Sequence, residues 1–168
     1  MHRRWLLCLG LLLVLAGCTA GPFGGQDKPV AVTVNNSANV TQAHTFEVSV
    51  IEYPANVTTR RDDGLTGNYR VGPGIATNSP GENHTWTSVE LPDSARLHGR
   101  YTLAPGEENQ TSIEEFPADF AVVVVIYQDE NEIVSWVSAH CDGDLAFLEV
   151  TMFHYGSGSA YNCEGGFL

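Results

Sequence analysis

The stretch Phe120-Ala-Val-Val-Val-Val-Ile-Tyr127 decides the fold class of this chain. It is continuously apolar, with consecutive valines at 122–125, and polar residues follow from Gln128 to Asn131. A run this short and this rich in β-branched side chains suits a strand covered on both faces, because a strand with one wet face alternates apolar with polar. Working outward, Asp129-Glu130-Asn131 reads as a turn into Ile133–Cys141, where Val134, Trp136 and Ser138 oppose Ile133, Ser135 and Val137. Asp142-Gly143 reads as the next turn, into Leu145–Tyr155. Three strands joined this way are expected to form an antiparallel meander. Gly156–Ser159 reads as a loose loop, and Tyr161-Asn162-Cys163 as a returning tail.

Toward the N-terminus the same period of two recurs. Val30, Val32 and Val34 alternate with smaller residues, and Phe46, Val48 and Val50 with Glu47 and Ser49. Asn56–Arg61 and Thr85–Leu91 alternate too, the latter around Trp86; Leu97, Tyr101 and Leu103 follow. Asp63-Gly64 is a hairpin signal before Tyr69–Gly72, while Gly72-Pro73-Gly74, Ser79-Pro80-Gly81, Pro92-Asp93 and Pro105-Gly106 punctuate the rest. Glu114-Glu115 reads as a solvated loop. No segment carries a capped 3.6-residue period. Many short strands between turn signals predict an all-β antiparallel sandwich over residues 30–168, the size of one domain.

Residues 1–17 read as an address. Arg3 and Arg4 precede an apolar run from Trp5 to Gly17. As a helix that run would rise about 20 Å, short of the roughly 30 Å hydrocarbon core, which is the pattern of a cleavable secretory signal. The run closes on Leu15-Ala16-Gly17-Cys18, which resembles a bacterial-type lipobox. That resemblance implies cleavage before Cys18, lipidation of its thiol, and anchoring on the outer face of the cell membrane. Arg3-Arg4 also resembles a twin-arginine export signal, so the general and the folded-export routes both stay open. Residues 18–29, with Gly21-Pro22, Gly24-Gly25 and Pro29, read as a flexible tether.

Composition bounds the partners. The chain holds 8 basic and 20 acidic residues, and losing Arg3 and Arg4 with the signal would leave 6 against 20, a formal charge of −14. Lys28 is the only lysine. Such a surface excludes a nucleic-acid backbone as partner, and equally a charge-driven contact with anionic lipid. Lysine-poor acidity resembles proteins of salt-loving archaea; at molar salt the screening length falls to about 3 Å and carboxylate self-repulsion is damped. The sequons Asn35, Asn39, Asn56, Asn83 and Asn109 exceed the one or two that chance supplies at about this composition, and are glycosylation candidates for an exported chain. All five precede Thr111, so the last third is expected to be buried sheet or a contact face.

With Cys8 in the signal and Cys18 at the lipobox, Cys141 and Cys163 remain, and two thiols in an oxidising compartment are expected to pair. The alternative is a free Cys141 nucleophile beside His140. The strand pattern resembles an immunoglobulin-like domain, and Tyr161 two places before Cys163 is similar to that fold's tyrosine corner. Two features depart from it. The cysteines stand too close in sequence for its inter-sheet bridge, and Trp136 precedes Cys141 instead of following it. Taken together, the chain resembles uncharacterised haloarchaeal secreted lipoproteins, a likeness that implies no activity.

Candidate chemistry is sparse. His140 and His154 with a cysteine suggest copper, but the Cys-then-His-then-Met order of small copper sandwiches is absent. Of the acidic turns Asp62-Asp63, Asp129-Glu130-Glu132 and Asp142-Gly143-Asp144, only Asp142 and Asp144 stand as weak cation candidates, and none matches an EF-hand loop. No Gly-x-Ser-x-Gly or His-Glu-x-x-His motif occurs, so no catalytic residue is assigned and no cofactor is expected. The expected role is a non-enzymatic, lipid-anchored interaction or accessory module with an envelope protein partner. Small-ligand or metal binding is the alternative, and a hydrolase without a local motif the third. If the acidity is a salt adaptation, transfer from about 3 M to about 0.1 M salt should collapse the near-UV dichroism; an unchanged spectrum would exclude it.

Overall fold

A computed structural model describes residues 28–128, 132–142 and 144–164. The signal, Cys18, most of the tether and the Asp129–Asn131 turn lie outside the described residues. Twelve strands follow one another without a helix among the described residues: β1 Lys28–Asn36, β2 His44–Glu52, β3 Asn56–Arg61, β4 Thr66–Arg70, β5 Gly74–Asn78, β6 Trp86–Glu90, β7 Arg96–Leu103, β8 Glu108–Phe116, β9 Phe120–Gln128, β10 Glu132–His140, β11 Asp144–Phe153 and β12 Gly156–Glu164. They form a four-stranded sheet, β12-β11-β1-β8, and an eight-stranded one running β4-β3-β6-β10-β9-β2-β7, with β5 also paired to β10. All pairings are antiparallel except β1 with β11. The expected all-β sandwich is present.

β9 explains the architecture. Val122, Val124 and Ile126 point into a core shared with Val30, Val32, Val34, Leu148 and Val150 of the four-stranded sheet. Ala121, Val123 and Val125 point the other way, into a second core with Ile51, Val57, Val71, Trp86 and Trp136. β6 is laddered to β10 only at Ile133–Trp86, so the β4-β3-β6 arm turns away there and folds back over the outer face of β9. Both faces of the valine run are therefore dry, and every valine from 122 to 125 is at most 2 % exposed. At roughly 1.5–3 kcal/mol for each fully buried large apolar side chain, the run supplies a large share of the driving force.

Several expectations need correction. The meander stops after two strands: β9 pairs with β10, but β11 crosses to the four-stranded sheet and runs parallel to β1. A register shift between Ile133 and Ser135 interrupts the alternation of β10, so Ile133 and Trp136 share the second core while Val134 and Val137 face the first. Glu114-Glu115 lies in edge strand β8, and Gly156–Ser159 opens β12; polar composition misled in both cases because edge strands tolerate charge and glycine. β5, between two Gly/Pro turns, was not anticipated. Trp136, whose face the sequence leaves open, is 1 % exposed and belongs to the core. Tyr161 is exposed and its hydroxyl lies over Gly74, unlike a tyrosine corner.

Cys141 and Cys163 are bonded, with Cα atoms 6.0 Å apart. Cys141 directly follows β10 of one sheet and Cys163 lies in β12 of the other, so the bond does tie the sheets despite a separation of only 22 residues. The crossover of β11 makes this possible. Replacing both cysteines by alanine should cost about 3 kcal/mol, lowering the melting temperature by about 6–12 °C; an unchanged midpoint would mean the bond adds no stability.

Candidate functional site

The β5–β6 loop folds on residues that accept left-handed backbone. Gly81 has φ +93° and Asn83 φ +64°, and the His84 amide donates to the Gly81 carbonyl. The loop thereby presents Glu82, His84 and Thr85 toward the start of β10, at Glu132 and Ile133, and toward the β11–β12 turn, at Tyr155 and Gly156. These elements enclose a cleft of about 430 Å³ whose lining includes neither lysine nor arginine. Tyr155, 75 % exposed, stands at its lip. Its ring is stacked on Phe153 at 5.3 Å and 2°, and His154 meets it edge-on at 4.8 Å. Such bracing holds an exposed aromatic face in place.

Behind His84 lies a charged cluster at the β3–β4 turn. His84 Nδ1 is 3.0 Å from Asp62 Oδ1, and Arg61 pairs with both carboxylate oxygens of Asp63. The His84 hydrogen bond holds the Asp62 carboxyl below the usual carboxylate range, and the Arg61 guanidinium brings Asp63 down to about 2. Asp62, Asp63 and His84 offer ligand atoms within 4.8 Å of one another. A metal there would have to displace Arg61 from Asp63, so the cluster is already satisfied as an ion-pair network. Asp62 orients His84 as a catalytic base is oriented, and Ser79 and Thr85 line the same cleft. Among the described residues no hydroxyl is hydrogen-bonded to that ring, so the arrangement is a base without a bonded nucleophile.

The remaining candidates are dispersed. Asp144 is engaged by Lys28 at 2.8 Å, and Lys28 also reaches Glu164 at 3.1 Å. Asp142 is 79 % exposed, with Oδ1 3.6 Å from His140 Nε2, so Asp144 is taken up by an ion pair and Asp142 stands in solvent apart from it. His140 is buried, stacked on Tyr53 at 3.5 Å, with Nδ1–H donating to the Phe120 carbonyl. His154 sits at the exposed β11–β12 turn and the Cys141 sulfur is consumed by the disulfide, so the copper set is not assembled. His44 is a structural histidine in part: Asn36 Nδ2 donates to the Gln42 and Leu103 carbonyls, leaving Asn36 Oδ1 to accept from His44 Nδ1. Of the sequons, Asn39, Asn56 and Asn83 are exposed, whereas Asn35 and Asn109 are half-buried.

Sequence reading named Asp62-Asp63 as an acidic turn but missed its partner. Only the triplet Gly81–Asn83, two turn-forming residues just before a histidine, hinted that His84 would be turned toward it. The pH dependence follows from the two depressed carboxyls. Their contribution is present above the unfolded carboxylate pKa near 4 and is lost as pH falls from there through about 2. Amide exchange at residues 61–66 should therefore accelerate below about pH 4 ahead of β9; simultaneous acceleration would mean the cluster does not hold this hairpin.

No protein-family model, curated protein or solved structure matches this chain.

Proposed function

We propose that the chain is an exported, lipid-anchored, non-enzymatic binding module, and that its cleft takes a small organic cation. The observation that supports this is the cleft itself, where Glu82, Glu132 and His84 share the lining with the exposed Tyr155 and neither lysine nor arginine is among the lining residues. Carboxylates and the negative face of an aromatic ring favour the same ligand, an ammonium group with apolar substituents. The acidity of the whole chain raises the local concentration of cations around it. Pocket volumes of about 300–1,000 Å³ are the usual size for small molecules.

The export and anchoring parts of this reading rest on residues 1–18, and the immunoglobulin-like and haloarchaeal likenesses belong to the same proposal. Docking of an envelope protein, the first expectation from sequence, is less favoured. The exposed large apolar side chains are spread over the β3–β4 hairpin (Leu65, Tyr69), β7 (Leu97) and the β11–β12 hairpin (Tyr155, Tyr161), rather than gathered into one patch.

Isothermal titration with tetramethylammonium and short alkylammonium ions tests the reading. Saturable binding is expected, weakened about two- to fivefold by Tyr155→Ala, the range of an exposed cation–π contact. Glu132→Gln should weaken it as well. Absence of saturable binding, or binding indifferent to both substitutions, would exclude the cleft as a cation site.

A further inference from the structure

We propose that Asn39, Asn56 and Asn83 carry N-linked glycans in the mature protein and that Asn35 and Asn109 do not. The inference rests on the export reading, because the transfer takes place on the outer side of a membrane. In that transfer the asparagine Nδ2 attacks the anomeric carbon of a polyprenyl-phosphate-linked oligosaccharide. A C–N bond forms, the anomeric C–O bond breaks, the lipid phosphate leaves with the electron pair, and the amide proton passes to a base. The acceptor amide and the Ser/Thr hydroxyl two places on must both be reachable, and the folded product must have room for the sugar.

The five triplets differ in this respect. Asn39 lies in the β1–β2 connection, exposed, with Thr41 exposed beside it. Asn83 is exposed in the β5–β6 loop, in left-handed backbone. Asn56 is exposed at the first residue of β3. Asn109 is the opposite case. It stands directly across from Val34 in the antiparallel β1–β8 register, and residues so paired project from the same face. Val34 is 1 % exposed in the first core, so Asn109 projects between the sheets, where its Oδ1 is sealed from solvent. The hydroxyl of its own triplet, on Thr111, is held across the gap by His98 Nε2 at 3.0 Å. Packed sheets stand only about 10 Å apart, so a chain glycosylated at Asn109 before folding could not close this side of the sandwich. Asn35 is on the outer face of central strand β1, half-buried between Glu108 on β8 and Thr151 on β11, with neighbouring Thr33 and Thr151 each only 8 % exposed.

Glycopeptide mass spectrometry of the protein purified from its native membranes decides the matter. Glycan mass is expected on the peptides containing Asn39, Asn56 and Asn83, and unmodified asparagine at 35 and 109. A glycan on Asn35 or Asn109, or a bare asparagine throughout at any of the other three, overturns the proposal. The N-terminal peptide of the same digest separates this from failure of the export reading. Lipid on Cys18 without glycans sinks the glycan assignment alone, whereas an intact Met1 with an unmodified Cys18 removes both.

Discussion

One strand that must be kept dry on both faces determines the rest of this molecule. A single partner sheet can cover only one face of β9. The four-stranded sheet covers the valines of even number, and the chain then bends the β4-β3-β6 arm round to cover those of odd number. Trp86 sits at that bend, in the single ladder pair that joins β6 to β10. Tyr69 rests edge-on against Trp86 and Trp136, closing the second core from the solvent side. Gly67 makes room for this, since a methyl group there would collide with the Tyr69 ring.

The same arrangement positions the candidate site. Folding the arm back brings the β3–β4 turn, with Asp62, against the β5–β6 loop, with His84. β10 then contributes Glu132 from its first residue, and β11, displaced into the other sheet, delivers Tyr155 beyond its last. The cleft thus lies where the β5–β6 loop and the β11–β12 turn meet the start of β10. Loops carried by a rigid sandwich are where binding residues usually gather.

How much of this could be read beforehand follows from the range of the interactions. The apolar run of β9, the alternation in β1, β2, β3 and β6, and the Asp63-Gly64 turn with Gly64 at φ +83° are local, and the sequence displays them. The pairing of Cys141 with Cys163 was legible by elimination. The destination of β11 was not, because Asp142-Gly143 suits a hairpin as well as a crossover, and only competition between sheets for Leu145, Leu148 and Val150 settles it. β8 and β12 were hidden by charge and glycine at sheet edges. The cleft and its neighbouring cluster depend on the bond between residues 62 and 84 and on residues 82, 132 and 155 converging on one cavity, distances in sequence at which no spacing rule operates.

The parallel register of β1 with β11 sets an orientation for the whole body. Lys28, where the chain enters the sandwich, lies beside Asp144 and Glu164, so entry, the start of β11 and the end of β12 share one pole. Ten residues of β11 then run roughly 30 Å, at about 3.3 Å each, before reaching the turn that bears Tyr155. With an acyl-bearing residue 18 as the foothold, the leash would join the lower pole while the cleft opened at the upper one, toward the medium. A solute arriving from outside would then meet the end that bears Tyr155 first.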